Sequence, residues 1–290
     1  MPAIDQGLRR ELIAAQRNEI TEHVIYSRLA QAVKDPENAE VLACIAEDEL
    51  KHYRFWRGYT GQEVAPNRWL AFKFYWIARI LGITFGIKLM ERGEAQVAAA
   101  HMAETIPAAR EIIEDEDRHE HELLELLDED RLRYIGSVVL GLNDALIELT
   151  GALAGFTFAL QNTRLIALTG LITGIAASLS MAASEYLATK NEEGHQKSPI
   201  KSTLYTGVSY ILTVTLLVAP YLFLENYLLA LGLAQVAAVM IILVFTYYIS
   251  VAKDTPFLQR FTEMAAISLG VAVLSFGIGY LIRISLGVEI

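Results

Sequence analysis

The chain has 290 residues, 53% of them apolar and 20% charged, with a net charge of −10 and a mean hydropathy of +0.34. It is too apolar for an ordinary soluble enzyme and too charged for a simple membrane bundle. The acidic balance, without a Lys/Arg stripe to displace counterions, excludes nucleic acid and favours cations as ligands. The single cysteine, Cys44, excludes a disulfide scaffold, a four-thiolate metal site and a CxxC redox motif.

Splitting the chain near Arg133 resolves the mixed composition. Residues 1–133 carry 17 basic against 25 acidic residues and five of the six histidines, whereas residues 134–290 carry 7 against 9. Two domains are therefore expected: 1–132, acidic and water-facing, and 133–290, a membrane domain. The fold class is all-α, since no Val/Ile/Thr-rich alternating run competes with the helical patterns.

Four helical runs are predicted in the acidic domain. The first, over about 7–33, stops at Lys34-Asp35-Pro36, and the second, over about 37–58, is ended by Gly58 and Gly61. The third covers about 67–104, and the fourth runs from about Pro107 to 130. The segment Phe72 to Met90 is apolar enough to raise the question of a membrane span, but Lys73, Arg79 and Lys88 would each be costly at mid-bilayer. It reads as a helix of the acidic domain whose apolar face packs in a bundle or lies on the membrane surface.

Glutamates and histidines recur in order along these runs. The first offers Glu19, the second Glu49 with His52, the third Glu91 and Glu94, and the fourth Glu116 with His119. Residues three apart share a helical face, so each Glu-x-x-His can aim a carboxylate and an imidazole at one point. One Glu from each of two helices plus a Glu-x-x-His from each of the others is the ligand set of a dinuclear carboxylate site, suited to iron, manganese or zinc. Chance placement of these residues gives about 0.7 such pairs, and two are present on different helices. A solvated acidic face is the bland reading for any one glutamate alone; the ordered set favours metal. Tyr26, His23 and His101 share faces with these residues, while His121 points elsewhere.

This ordered set resembles the ferritin-like superfamily, particularly rubrerythrin-type erythrins, over most of residues 7–130. The resemblance implies a di-iron site at Glu19, Glu49, His52, Glu94, Glu116 and His119, with Glu91 as an additional third-helix glutamate. Cys44 alone cannot supply the four-cysteine iron module that usually feeds electrons to rubrerythrins, which argues against peroxidase turnover of that kind.

Five stretches are long enough to cross roughly 30 Å of hydrocarbon: about 134–160, 164–189, 203–224, 226–251 and 262–284. Arg131, Arg133, Lys190, Lys197, Lys201, Lys253 and Arg260 collect at alternate ends, and only Arg164 and Glu225 lie at the others. Basic loops stay cytoplasmic, and no cleavable signal precedes the acidic domain, so a cytosolic N-terminus and an outward C-terminus are expected. Span one carries Asp144 and Glu148, four apart, and span two carries Met181 and Glu185. Ionisable residues within membrane helices are functional candidates by default. Carboxylates with a soft thioether suit passage of a divalent transition metal, and their proton loss on metal arrival gives metal–proton exchange a physical basis. Two small-xxx-small patterns, Gly151 to Gly155 and Gly170 to Gly174, allow close helix approach.

Gly141 to Asp144 and the stretch SMAASEYLATK at Ser180 to Lys190 resemble the vacuolar iron transporter family, over about 134–290. That resemblance implies five spans, a homodimer in the lipid bilayer, and export of Fe2+ or a related divalent ion from the cytosol against protons, with Asp144 and Met181 on the path. Thr173 stands where some plant members have a glutamate, and residues 190–201 are too short for the metal-binding insert of those members; Glu192, Glu193 and His195 read as a solvated loop. A ferritin-like domain ahead of such a membrane domain resembles the membrane-bound ferritins. The expectation is a metal exporter whose acidic domain captures, senses or oxidises the metal. The alternative is a membrane-tethered di-iron ferroxidase or peroxidase with the membrane part as anchor.

Overall fold

The computed structural model describes residues 6–91, 106–112, 114–116, 118–119, 134–191 and 197–286. These are almost entirely helical and contain no strand. The chain divides into two compact units, 1–129 and 130–290.

In the first unit, α1 (Gln6–Ala32) and α2 (Pro36–Thr60) form an antiparallel hairpin. Asp35 caps α2, its carboxylate accepting the N–H groups of Glu37 at 3.0 Å and Asn38 at 3.1 Å, with Pro36 in the first turn. This capping satisfies two of the donors that a helix start leaves orphaned. Gly61, at φ 67°, ends α2. Ile25, Leu29, Leu42 and Ile45 fill the core between the two helices and α3 (Arg68–Leu81).

The expected continuous third helix is not found. It breaks at Gly82, where φ is 109° and ψ 147°, a conformation essentially confined to glycine. α4 (Ile83–Glu91) then packs back against α3, so closely that a Cβ on Gly86 would sit 2.6 Å from that of Ala78. A 3₁₀ turn at Pro107–Ala109 leads into the helical residues that carry Glu116 and His119. Glu94 and His101 of the expected third helix, and His121 of the fourth, lie outside the described residues, so the four-helix arrangement is seen only in part.

Among the described residues the second unit has five helices long and apolar enough to cross a membrane: α5 (Ile135–Leu160), α6 (Thr163–Asn191), α7 (Pro199–Phe223), α8 (Tyr227–Ala252) and α9 (Phe257–Leu286). The number of spans agrees with the sequence reading, but α7 and α9 begin earlier than expected. Lys201 and Arg260 therefore sit in first turns rather than in loops.

Small residues let these helices touch. A Cβ on Gly141 of α5 would press into the Thr206 carbonyl oxygen of α7. Gly155 of α5 meets Gly279 of α9, and Gly170 and Gly174 of α6 meet Val218 and Val214 of α7. Both small-xxx-small patterns are thus used within one chain. Hydroxyls join the same faces: Thr206 donates to the Ser137 carbonyl at 3.0 Å, and Thr157 pairs with the Tyr221 hydroxyl at 2.7 Å. Inside hydrocarbon such bonds replace water that is not available.

Candidate metal centre

α1 supplies Glu19, α2 supplies Glu49 and His52 on one face, and the helical segment after Pro107 supplies Glu116 and His119. One ligand atom from each of Glu19, Glu49, His52 and Glu116 lies within 4.8 Å of all the others. His52 Nδ1 faces Glu116 Oε1 at 3.4 Å, Glu19 Oε2 at 3.5 Å and Glu49 Oε2 at 3.8 Å. His119 Nδ1 lies 3.6 Å from Glu49 Oε1, and the two imidazoles stack with centroids 6.0 Å apart. Glu91 ends α4, but neither its side chain nor Glu94 is among the described residues, so the third-helix ligands stay expectations.

The donor set fits a cation. Glu19 Oε2, Glu49 Oε2, His52 Nδ1 and His119 Nδ1 are buried and make no hydrogen bond. Buried polar atoms are rarely left so. Their separations are long for hydrogen bonds but close to the roughly 3.0–3.5 Å between ligand atoms that each stand about 2.0–2.2 Å from one ion. This buried Glu/His cluster can hold a metal ion.

Each imidazole is oriented from behind by an aspartate of the opposite helix. His52 Nε2–H donates to Asp115 at 3.3 Å, and His119 Nε2–H donates to Asp48 at 3.1 Å. Lys51 pairs with Asp48 and Arg118 with Asp115, each at 2.6 Å, and Arg118 also reaches Asp48 at 3.2 Å. The arrangement arises from a repeat, Glu-Asp-Glu-x-(Lys/Arg)-His, at 47–52 and 114–119. In each copy the Asp serves the His of the other copy, which is how proteins fix imidazole tautomer and ring orientation at metal sites. The sequence reading missed both aspartates, although the repeat was their signal. It also missed Trp56, whose buried Nε1–H donates to Glu19 Oε1 at 2.9 Å and turns Oε2 toward the cluster. His23 binds the Ala46 carbonyl at 2.6 Å, joining α2 to α1, and Tyr26 lies in the hydrophobic core.

The electrostatics follow from burying acids and imidazoles together. Burial pushes Glu19 well above the usual carboxylate range, against the pull of His52. Glu116 is raised for the same reason. For Glu49 burial acts upward too, but the facing imidazoles of His119 and His52 prevail and hold it at about 2. Burial would lower both histidines; the surrounding carboxylates, Glu116 first for His52 and Glu49 first for His119, raise them instead. The metal-free cluster therefore retains protons that a cation must displace.

In the membrane unit, Asp144 and Glu148 lie one turn apart on α5, with Glu148 at the middle of its 26 residues. Glu148 accepts a 2.7 Å hydrogen bond from the fully buried Tyr210 of α7. Glu185, near the end of α6, accepts one of 2.7 Å from Ser137 in the first turn of α5. Met181 is half-buried against the core of the unit. Tyr210 and Ser137 are further residues that the sequence reading passed over; they come from 62 and 48 positions away.

Residues 135–198, which include α5 and α6, match the model of the VIT family. No match is found among curated proteins. The five apolar helices and the VIT match indicate a multi-pass membrane protein, and the match supports a membrane metal-ion transport role.

Proposed function

We propose that the chain exports a divalent metal, iron or manganese, from the cytosol in exchange for protons, and that its acidic, ferritin-like unit captures or senses that metal. The observation that carries this reading is the pairing in one chain of a buried Glu/His cluster with unpartnered ligand atoms and a VIT-matching membrane unit with a carboxylate at mid-span. Glu19, Glu49, His52, Glu116 and His119, joined by Glu91 and Glu94, would hold up to two ions. Bound iron there would supply redox chemistry. Asp48 and Asp115 orient the imidazoles, and Trp56 orients Glu19. In the membrane unit the ion passes Glu185, Asp144 and Met181. Glu148, held by Tyr210, is the carboxylate that takes up the returning proton. The positive-inside distribution supports a cytosolic N-terminus, and the family resemblance supports a homodimer.

Fe2+ movement in proteoliposomes under an imposed proton gradient tests the proposal. Asp144→Ala is expected to reduce transport at least tenfold while metal binding by the Glu/His cluster is retained. Unchanged transport in that variant would sink the path. Metal-dependent oxygen consumption without transport would favour the tethered oxidase.

A further inference from the structure

α3 is apolar on two opposite faces, and among the described residues only one of them is covered. Ala71, Phe74 and Ala78 are buried in the core of the first unit. On the other side Trp69, Phe72 and Trp76 follow one another at helical spacing and are 69%, 58% and 47% exposed. Helices that are apolar all round are ordinarily enclosed, and contiguous exposed aromatics mark an interaction surface. Lys73 stands in the same row, its ammonium 5.7 Å from the Trp69 ring centroid and 5.2 Å from that of the buried Phe74. Arg68 and Arg79 lie on one flank beside Phe72. α3 contains these three basic residues and no acidic one, although residues 1–133 hold 25 acidic against 17 basic residues.

We infer that this face of α3 is an interfacial anchor that lies on a bilayer with anionic headgroups. Tryptophan and flanking lysine or arginine are the side chains that settle at the headgroup level, with ring bodies in the acyl boundary and charges toward phosphate. The occupant follows from charge and from tethering. The same chain carries five helices able to cross a membrane, so a lipid surface is always within reach. A second copy meeting this face would bring two sets of Arg68, Lys73 and Arg79 together with no acidic residue on either α3 to pair them, an unfavourable juxtaposition. The Gly82 break belongs to the same design, because it ends α3 after four turns and lets α4 fold back rather than continue as a span. The inference rests on the membrane assignment and not on the transport reaction.

The tryptophans supply the test. All three in the chain, Trp56, Trp69 and Trp76, precede the spans, and Trp56 is only 2% exposed. The full chain is reconstituted in vesicles of phosphatidylcholine and phosphatidylglycerol whose acyl chains are brominated near the headgroup. Tryptophan fluorescence is expected to be quenched by the brominated lipid and shielded from aqueous iodide. Trp69→Phe/Trp76→Phe should abolish most of the lipid quenching, and Arg68→Glu/Lys73→Glu should reduce it at least twofold. Iodide quenching without lipid quenching would place the face in water and overturn the inference. Shielding from both quenchers would assign the face to a second protein surface and overturn it equally. Equal quenching in pure phosphatidylcholine would overturn the requirement for anionic headgroups.

Discussion

The crossed aspartates make the metal centre sensitive to changes in residues that donate no ligand atom. Asp48→Asn or Asp115→Asn keeps side-chain volume but offers an amide to an imidazole N–H, so ring orientation and tautomer are no longer enforced. Metal affinity measured by calorimetric titration is expected to fall about 10–100-fold. The protonation pattern sets a pH dependence. Because both histidines are raised and the buried Glu19 is raised, cation uptake releases protons and should tighten steadily as pH increases from 5.5 to 8. Titrations in buffers of different ionisation enthalpy would count those protons. The metal-free protein should behave in the opposite sense. A raised histidine contributes stability that is full below its ordinary value of 6.5 and is lost as pH climbs toward the folded value. Glu49, held at about 2, contributes throughout this range and loses its share only in strong acid. Metal-free thermal stability should therefore decline above about pH 6.5, and added metal should restore it; a flat Tm from pH 6.5 to 9 would contradict this linkage.

Two glycines govern how elements meet. Gly82 adopts a backbone conformation that a Cβ strains, so Gly82→Ala is expected to destabilise the first unit by ~1–3 kcal/mol in thermal unfolding. At Gly141 the difficulty is space, since an added Cβ would press into the Thr206 carbonyl and the Ser209 hydroxyl. Gly141→Val should separate α5 from α7 and weaken the bonds from Thr206 to Ser137 and from Tyr210 to Glu148. Transport loss with retained metal binding by the first unit is the expected signature. Apolar periodicity revealed the helices of both units, because a helix face depends on residues a few positions apart. The break in the third helix was not visible in that pattern, since apolar residues continue on both sides of Gly82 and a glycine's φ is selected by what α4 packs against.

For the whole molecule, the composition of the chain changes near residue 133, from an acidic, charged part to an apolar one. If the acidic unit captures metal for the membrane unit, Glu49→Ala should leave transport near normal at saturating Fe2+ and reduce it several-fold at limiting Fe2+. Equal loss at both concentrations would instead make the cluster an obligatory part of the path. The fused arrangement also explains why an acidic domain carries a basic aromatic helix: a unit tethered to lipid gains from a surface that suits it.

The amino-acid sequence by itself determined the helical content, the five apolar spans and the placing of Glu and His three residues apart on one helix face. These follow from local periodicity and from hydrophobic length matched to bilayer thickness. Only the tertiary structure decided which aspartate backs which imidazole, that Trp56 turns Glu19, that Tyr210 holds Glu148, and which face of α3 is left bare. Those partners lie 37 to 71 residues apart or on separate helices, and their meeting depends on crossing angles and close approaches that no local pattern encodes.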